Sequence, residues 1–500
     1  MKNIRIIYLS LFIVGLLSNC QNTKKETDLP KSTIKGYLKG ILPENNDLKI
    51  TISNSITGDR IIYQLPIDST GDFSLEIPLT YSTLAGIESK YFDNSFIYLS
   101  PNKTSHLNIN IDKNNQSSIQ IIDDISMSAY ERSYFYKKML NILMNTSLSQ
   151  GINSVLEPIV YQQYMTKQIE EILSTIDGDT ILPTQGKSIL KNELNLFYTQ
   201  VALMRYKSYM SLIVENKELE EKEIKEPEIS YYSFLKKINL SDSTLFSTTY
   251  YHILLHDILQ YPVFGVQAVD ETSPSLWINN VKEKLQEVVG EKQNLFYDML
   301  LANSYSNQLN QMHPFSKKQI ENIQSYYKEG NIGKILLSEN HKVNILLDED
   351  IKQNITAPDS TKSSTEKQNS DQAELFMKHI FDKYNDRIIV LDFWATWCGP
   401  CLKSIDEIKP YKKDLVKKGI VFVYVTTESS PPKTWEIMKK DIEGEHYYVN
   451  EQTWIELLSY YEFKSIPNIL VFDKNNKMHK RIDGYIKNDK RLVNSLNKLF

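Results

Sequence analysis

The chain has 500 residues, with 57 basic and 62 acidic side chains and a formal net charge of −5 at pH 7. This length implies several domains. The small acidic excess, without a basic stripe along the chain, argues against nucleic acid as a partner.

A secretory signal is the first predicted element and covers residues 1–19. Lys2 and Arg5 supply positive charge at its start, and Ile6–Leu17 is an apolar stretch of 12 residues. Such a stretch is too short for a membrane-spanning helix and is typical of a signal peptide. The body of the protein is therefore expected outside the cytoplasm.

The signal ends at Leu17-Ser18-Asn19-Cys20, which resembles a bacterial lipobox. This resemblance implies cleavage before Cys20, lipidation of that cysteine and a polar tether over residues 20–31. The lipid would hold the protein on a membrane of the bacterial cell envelope, facing the periplasm or in the outer membrane. An uncleaved anchor and a different cleavage site are the alternatives.

Residues 32–124 predict a small antiparallel β-sandwich. Apolar and polar residues alternate in three runs, which is typical of strands with one buried face: Leu48/Ile50/Ile52, Phe73/Leu75/Ile77/Leu79 and Leu107/Ile109/Ile111. The region has no catalytic constellation, so a binding or spacer role is expected.

Residues 125–350 predict an all-α region of roughly eight to ten helices, because apolar residues recur at spacings of three and four. This region is rich in tyrosine, which indicates either packing with the hydroxyls at the rim or a partner groove. His252 and His256 would face one side of a helix, but no HExxH arrangement accompanies them, and we predict no metal site. A polar stretch rich in Ser and Thr then predicts a flexible linker over 351–372.

The last segment, 373–500, alternates strands and helices. Two buried strands, at Ile388–Phe393 and Ile420–Thr426, flank a helix at Pro400–Lys418. The remaining predicted elements are helix Lys433–Ile442, strand Glu445–Asn450, helix Glu451–Tyr461, strands Ile469–Asp473 and Lys480–Gly484, and helix Asp489–Leu499.

Cys398 and Cys401 stand where the first of these strands meets the helix, and no other cysteine follows Cys20. A sulfur at a helix N-terminus lies at the positive end of the helix dipole, which lowers a thiol pKa from about 8.5 to about 3.5–7.5. We therefore predict that Cys398 attacks and that Cys401 resolves the mixed disulfide. A zinc site usually needs four ligands and finds no second CxxC here. A structural disulfide is the other alternative.

Leu391-Asp392-Phe393-Trp394-Ala395-Thr396-Trp397-Cys398-Gly399-Pro400-Cys401 resembles the active-site segment of thioredoxin-fold proteins, especially the TlpA/ResA-like group of exported bacterial thioredoxins. Tyr461–Asp473 resembles the cis-proline loop of the same family. The resemblance implies an α/β thioredoxin fold over 373–500 and a cis bond between Ile466 and Pro467. It also implies that the backbone of Ile466 pairs with an extended substrate segment.

The same resemblance implies roles for further residues. Asp392 would be a buried carboxyl that relays a proton to or from Cys401, the alternative being a solvated aspartate at a strand end. Trp397, Gly399 and Pro400 would contact the substrate. Many TlpA/ResA-like proteins have a glutamate where this chain has Ser404, so a specific role in cytochrome c maturation is not favoured.

Together these features predict a membrane-tethered thiol-disulfide oxidoreductase that reduces disulfides of exported proteins. Its redox group would be the Cys398–Cys401 pair itself, without a further cofactor, recharged by an upstream membrane electron donor. Gly399-Pro400 is the dipeptide of reducing thioredoxins, which favours this direction. Two alternatives remain, namely a scaffold lipoprotein whose helical region recruits partners with the dithiol as a switch, and a thiol peroxidase. The peroxidase pattern Thr-x-x-Cys is not met, because Thr396 is two residues before Cys398.

Overall fold

The computed structural model describes residues 29–40, 48–89, 95–112, 117–145, 148–220, 222–290, 292–354, 372–463, 465–486 and 490–499. The predicted signal over 1–19, Cys20, most of the tether and most of the linker lie outside the described residues. Within these ranges, no helix has both the length and the apolar character needed to cross a bilayer.

Two packed four-stranded sheets form the N-terminal part. The described strands are β1 Lys31–Lys39, β2 Lys49–Ser53, β3 Arg60–Gln64, β4 Asp72–Pro78, β5 Thr83–Glu88, β6 Ser95–Leu99, β7 Thr104–Ile111 and β8 Ser117–Ile122. The sheets have the orders β4-β1-β7-β8 and β3-β2-β5-β6. Alternate side chains of both sheets, such as Ile34, Ile50 and Leu107, are fully buried between them, as the alternation of apolar and polar residues predicts.

One strand pair corrects the prediction of a purely antiparallel sandwich. β1 and β7 run parallel, with Thr33 opposite Thr104 and Lys39 opposite Asn110. A parallel pair needs a long crossover, and here the chain passes through the other sheet between the two strands. Alternating hydrophobicity reports which face of a strand is buried but not the direction of its neighbour, so the sequence pattern did not contain this information.

Nine α-helices are described in the central region, within the predicted range. They are α1 Ala129–Asn145, α2 Pro158–Asp177, α3 Thr184–Tyr198, α4 Tyr206–Lys217, α5 Thr249–Gln260, α6 Pro274–Leu285, α7 Asn294–Asn310, α8 Lys317–Tyr327 and α9 Asn331–Asn354. A π-helical segment follows α3 at Thr199–Met204, and 3-10 turns lie at Ile229–Lys237, Ser243–Ser247 and Pro262–Phe264. α9 runs past the predicted limit at 350, because no proline or glycine interrupts it before Pro358.

Several of the tyrosines of this region belong to its core. Tyr161, Tyr206, Tyr231 and Tyr251 are buried, and each hydroxyl donates to a backbone carbonyl. Packing therefore accounts for these four side chains, since a buried phenol needs such a partner.

The turn between β2 and β3 inserts into the helical region. Ile56 at its tip is part of the helical core. On α7, the side-chain amide of Asn303 donates to the carbonyl of Ser55 at 3.2 Å, and that of Asn310 donates to the carbonyl of Thr57 at 3.2 Å. Gly58 has a φ of 75°, and a Cβ there would lie 2.1 Å from the His252 ring, so only glycine fits this close approach.

The C-terminal part is a five-stranded sheet with helices on both faces. Its elements are α10 Gln372–Lys383, β9 Ile388–Phe393, α11 Gly399–Lys417, β10 Ile420–Thr427, α12 Pro432–Met438, β11 Glu445–Val449, α13 Glu451–Tyr460, β12 Asn468–Phe472, β13 Met478–Asp483 and α14 Arg491–Leu496. The strand order is β11-β10-β9-β12-β13. β9, β10 and β11 are parallel, and β12 is antiparallel to both of its neighbours, β9 and β13. The predicted layout of a β-rich part, a helical part and a C-terminal α/β thioredoxin fold is confirmed.

α10 was not predicted. It covers the sheet with Ala373, Met377 and Ile380, which are buried at spacings of four and three. This spacing is the helical signal, but it follows directly on the polar stretch that was assigned to the linker.

Candidate active site

The two cysteines lie where β9 leads into α11. Cys398 is the residue that caps this helix, and its Sγ accepts a hydrogen bond from the backbone N–H of Cys401 at 3.2 Å. The sulfurs are joined in a disulfide, with 5.2 Å between the Cα atoms. The first sulfur therefore lies among the free N–H groups of a helix N-terminus, which stabilise negative charge.

The loop before the cysteines is held by backbone hydrogen bonds. The N–H of Trp394 donates to the carbonyl of Val425 at 3.0 Å, and the N–H of Thr396 donates to Ser430 Oγ at 3.0 Å. Pro400 occupies the first turn of α11, where its missing N–H has no partner to lose. β9, buried along its whole length, thus fixes the dithiol to the centre of the sheet.

Asp392 lies on β9, opposite Tyr424 on β10 and Ile469 on β12. The carboxyl is buried, and its Oδ1 has no hydrogen-bond partner among the described residues. Burial raises the pKa of Asp392 to about 7, against the opposing charge of Lys412. A carboxyl with this pKa can both take up and release a proton near neutral pH.

Lys412 is a charged residue that sequence reasoning missed. It lies on α11, is buried, and its Nζ donates to Tyr424 Oη at 2.8 Å and to the carbonyl of Glu443. Burial lowers the pKa of Lys412 to about 8, partly opposed by the attraction of Glu443 and Asp392. The signal was its place on the apolar face of α11, where the buried residues are Cys401, Ile405, Ile408, Lys412 and Leu415.

The predicted substrate-contacting residues lie around the dithiol. Trp397 is 61% exposed, and its indole N–H donates to Ser429 Oγ at 3.3 Å. Pro400 is exposed and Gly399 partly so. The Ile466–Pro467 peptide bond is cis, and Ile466 packs against the apolar cluster that contains both cysteines.

His252, by contrast, lies in the helical region, buried against Gly58. Burial, reinforced by His256, lowers the pKa of His252 to about 4. Across the described residues, no group of three or more His, Cys, Asp or Glu side chains is placed to hold a metal ion.

Comparison with known proteins identifies similar sequences. A family model described as thioredoxin-like matches residues 385–478. The thioredoxin of Mycoplasmoides gallisepticum is 30% identical over 120 residues, which cover 23% of this chain and 94% of that protein. The thiol-disulfide oxidoreductase ResA of Bacillus subtilis is 26% identical over 96 residues, covering 19% of this chain and 52% of ResA.

Among solved structures, the thioredoxin domain of a thiol-disulfide oxidoreductase from Bacteroides vulgatus is similar, with 18% sequence identity. The match covers 23% of this chain and 81% of that chain, with a TM-score of 0.21.

Proposed function

Because this chain belongs to the thioredoxin family and is a thiol-disulfide oxidoreductase, we propose that it reduces disulfides of exported proteins while tethered to a bacterial membrane. The predicted resemblance to TlpA/ResA-like thioredoxins is confirmed by the family match and by ResA. The observation that carries the proposal is the Cys398–Cys401 pair at the start of α11, with the buried carboxyl of Asp392 on the adjoining strand.

The proposed reaction begins with the reduced pair. The Cys398 thiolate attacks one sulfur of the substrate disulfide, the substrate S–S bond breaks, and the other substrate sulfur leaves as a thiolate that takes up a proton. Cys401 then gives its proton to ionised Asp392 and attacks Cys398 Sγ. This step releases the second substrate thiolate and forms the Cys398–Cys401 disulfide.

Overall, the substrate disulfide gains two electrons from the dithiol and two protons, one from Cys401 through Asp392 and one from solvent, which received it when Cys398 ionised. Asp392 passes its proton to the departing substrate thiolate, so the carboxylate is restored. Another dithiol, in an upstream membrane electron donor, must then reduce the Cys398–Cys401 disulfide by the same exchange chemistry. The disulfide itself is the only redox group that the proposal requires.

The substrate is proposed to lie over the buried dithiol, where the neighbouring Trp397 and Pro400 are exposed. Trp397, Gly399 and Pro400 would contact it on the α11 side, and the backbone of Ile466 beside Pro467 would pair with an extended segment on the other side. An exposed tryptophan offers a large apolar surface for such contacts at low entropic cost.

The reduction potential of the Cys398–Cys401 pair, measured on the body from residue 21 onward, tests the reaction. A potential near about −270 mV supports a reductase, whereas one near about −120 mV would indicate an oxidant. Cys401→Ser should trap mixed disulfides with exported proteins, and Cys398→Ser, the matched control, should trap none. Absence of a reversible couple and of trapped partners would overturn the proposal and move the function to the helical region.

The tether has its own test, because Cys20 lies outside the described residues. The proposed lipidation predicts that the full-length chain fractionates with membranes and carries a lipid-modified N-terminus. Cys20→Ser should release it from the membrane fraction without changing the reduction potential of the dithiol. Membrane association that is unchanged in Cys20→Ser would contradict lipidation at this residue.

A further inference from the structure

The N-terminal sandwich reaches the active-site end of the C-terminal domain at more than one point. On β2, Lys49 Nζ lies 2.6 Å from Asp406 Oδ2, and Asp406 lies on α11 little more than one turn after Cys401. Just before β3, Asp59 Oδ2 lies 2.8 Å from Lys433 Nζ on α12. The first ion pair holds the β2–β3 edge of the sandwich against α11, the helix that bears the dithiol, and the second holds it against α12.

Arg60, the first residue of β3, lies between these two contacts along the strand pair. Its Nη1 is 3.7 Å from the point that a Cβ on Gly399 would occupy. Gly399 is bonded directly to Cys398, so the guanidinium lies beside the first turn of α11. The other end of the guanidinium, Nη2, is 2.7 Å from Glu88 Oε1.

We propose that Arg60 is a positioning residue of the active site, which the N-terminal domain supplies to stabilise the thiolate of Cys398. The inference rests on the proposed function, since it assigns Arg60 a part in the same exchange reaction. A positive charge beside a cysteine favours its thiolate, and the charge of arginine persists at every pH at which the dithiol works. The β-sandwich then has a catalytic consequence as well as a spacer role.

The surroundings of Arg60 let this charge act on the sulfur. Its side chain is one-third exposed, so solvent screens it less than a free surface arginine. Glu88, which also accepts from Thr51 Oγ1 at 3.1 Å, binds the Nη2 end and leaves the Nη1 end towards Gly399. Charged groups on the elements that carry or contact the dithiol helix include Arg60 and Glu88 from the sandwich, Lys49 and Asp406 at the interface, and Asp392 and Lys412 from the thioredoxin-like domain.

Arg60→Gln in the body from residue 21 onward tests the proposal. The Cys398 thiol pKa, read from thiolate ultraviolet absorbance, should rise by about one unit, a roughly tenfold weaker preference for the thiolate. Because the reduced form loses this stabilisation, the exchange equilibrium at pH 7 should shift by up to tenfold towards the disulfide, about 30 mV more negative. Arg60→Lys, which keeps the charge, should restore most of both values. Raising the salt concentration should reduce the difference between wild type and Arg60→Gln.

Two further variants separate electrostatics from a structural disturbance. Lys49→Gln removes one positive charge from the same interface, but its partner is Asp406, so the thiol pKa should stay at the wild-type value. Glu88→Gln removes the countercharge of Arg60 and should lower the Cys398 pKa, a shift opposite in sign to that of Arg60→Gln. A domain interface that merely loosens would move the thiol pKa in the same direction in all three variants.

The outcomes distinguish this inference from the proposed function. A wild-type couple that is reversible, with the same thiol pKa in Arg60→Gln and in wild type, would overturn the role of Arg60 and leave the oxidoreductase proposal standing. Shifts of equal sign in Arg60→Gln and Glu88→Gln would also overturn it. A wild-type pair without a reversible couple would instead remove the proposed function.

Discussion

Two buried lysines of the C-terminal domain, Lys433 and Lys412, have pKa values that are shifted in opposite directions. Lys433 on α12 lies 2.8 Å from Asp59 and 3.0 Å from Glu339, one carboxylate from each of the other two regions. Burial lowers its pKa, but the attraction of the two carboxylates outweighs this effect and the pKa is raised overall. Among the described residues, the hydrogen bonds of Lys412 go to a phenol and a backbone carbonyl and not to a carboxylate, and burial lowers its pKa to about 8.

The carboxylates near these two lysines, Asp59 and Asp392, also have pKa values that are shifted in opposite directions. Burial raises the pKa of Asp59, but the charge of Lys433 and its hydrogen bond lower this pKa by more than burial raises it. The net shift of the Asp59 pKa is therefore downward. Burial raises the pKa of Asp392 to about 7, and Lys412 offsets only part of this effect. Fully paired charges join domains, whereas incompletely paired charges behind the dithiol remain able to titrate.

The largest expected effect comes from breaking the paired site. Lys433→Met removes the buried countercharge that Asp59 and Glu339 share at a domain junction, which should destabilise the protein by about 3–5 kcal/mol. Urea unfolding followed by tryptophan fluorescence reports this loss, because four of the five tryptophans lie after residue 393. Lys342→Met is the matched control: Lys342 also binds Glu339 but is 55% exposed, and its loss should cost about 0–1 kcal/mol. Equal losses in the two variants would contradict a structural role specific to Lys433.

Removing the charge of Asp392, which is incompletely paired, should stabilise the protein, whereas Lys433→Met should destabilise it. Asp392→Asn abolishes a buried charge at pH 8 and should stabilise the protein by about 2–4 kcal/mol, since the pKa rises from 3.8 to about 7 on folding. It should also slow disulfide reduction by about tenfold or more, because the proton of Cys401 loses its acceptor. Unfolding at pH 8 and turnover of a disulfide substrate check the two effects.

Asp414→Asn provides the control for this substitution, because the Asp414 side chain is 79% exposed on the same helix as Cys401. Both its stability and its turnover should stay near the wild-type values. A destabilised Asp392→Asn, or one with full activity, would argue that Asp392 is an ordinary structural carboxylate.

The pH dependence of stability should separate the two sites by sign. Asp392 binds its proton more tightly in the folded state, so its contribution to stability decreases as pH rises from about 4 to about 7 and is constant above. The stability gain of Asp392→Asn should therefore be absent near pH 4 and complete above pH 7. The Asp59 pKa is lowered instead, so the loss in Lys433→Met should be constant from about pH 5 to 9 and shrink only in stronger acid. Unfolding curves measured across this pH range check both expectations. If the stability changes of Asp392→Asn and Lys433→Met depended on pH in the same way, the proposed difference between the two sites would be wrong.

The smallest expected effect concerns the site behind the dithiol, where Lys412 lowers the pKa of Asp392. Lys412→Met removes the charge that holds the Asp392 pKa down, so this pKa should rise further, by about one unit. The pH dependence of the resolving step, measured in single turnovers, should move upward by the same amount. Lys413→Met removes an equal charge from the exposed neighbouring position and should leave the profile in place. A profile that responds equally to both variants would mean that Lys412 acts only through the net charge.

The sequence predicts much of the C-terminal domain because its signals are local. β9 was placed at its observed bounds, and the Cys398–Cys401 pair lies at the observed junction of strand and helix. Ends of other elements differ by a few residues, as at Arg491–Leu496, where a longer helix was expected; helix ends are defined by weak terminal turns.

The local pattern also determined the class of each region: alternation for the sandwich, spacings of three and four for the helices, and apolar runs for the parallel strands. These patterns depend on side-chain periodicity, which is the same in an isolated segment and in the folded chain. The relative direction of two paired strands, such as the parallel pair of β1 and β7, is a property of both segments together. Neither segment's sequence pattern alone contains this information.

What only the tertiary structure decided is which charges meet. Arg60, Lys49 and Asp59 belong to a region that the sequence assigned to binding or spacing, yet they lie against the active-site end of the C-terminal domain. In the sequence, Lys412 is one of several lysines of α11. It is the packing of α11 on the sheet that buries Lys412 beside Tyr424. Electrostatic effects depend on distance and burial, and packing alone brings groups that are far apart in sequence close enough, and far enough from water, for one to change the chemistry of another.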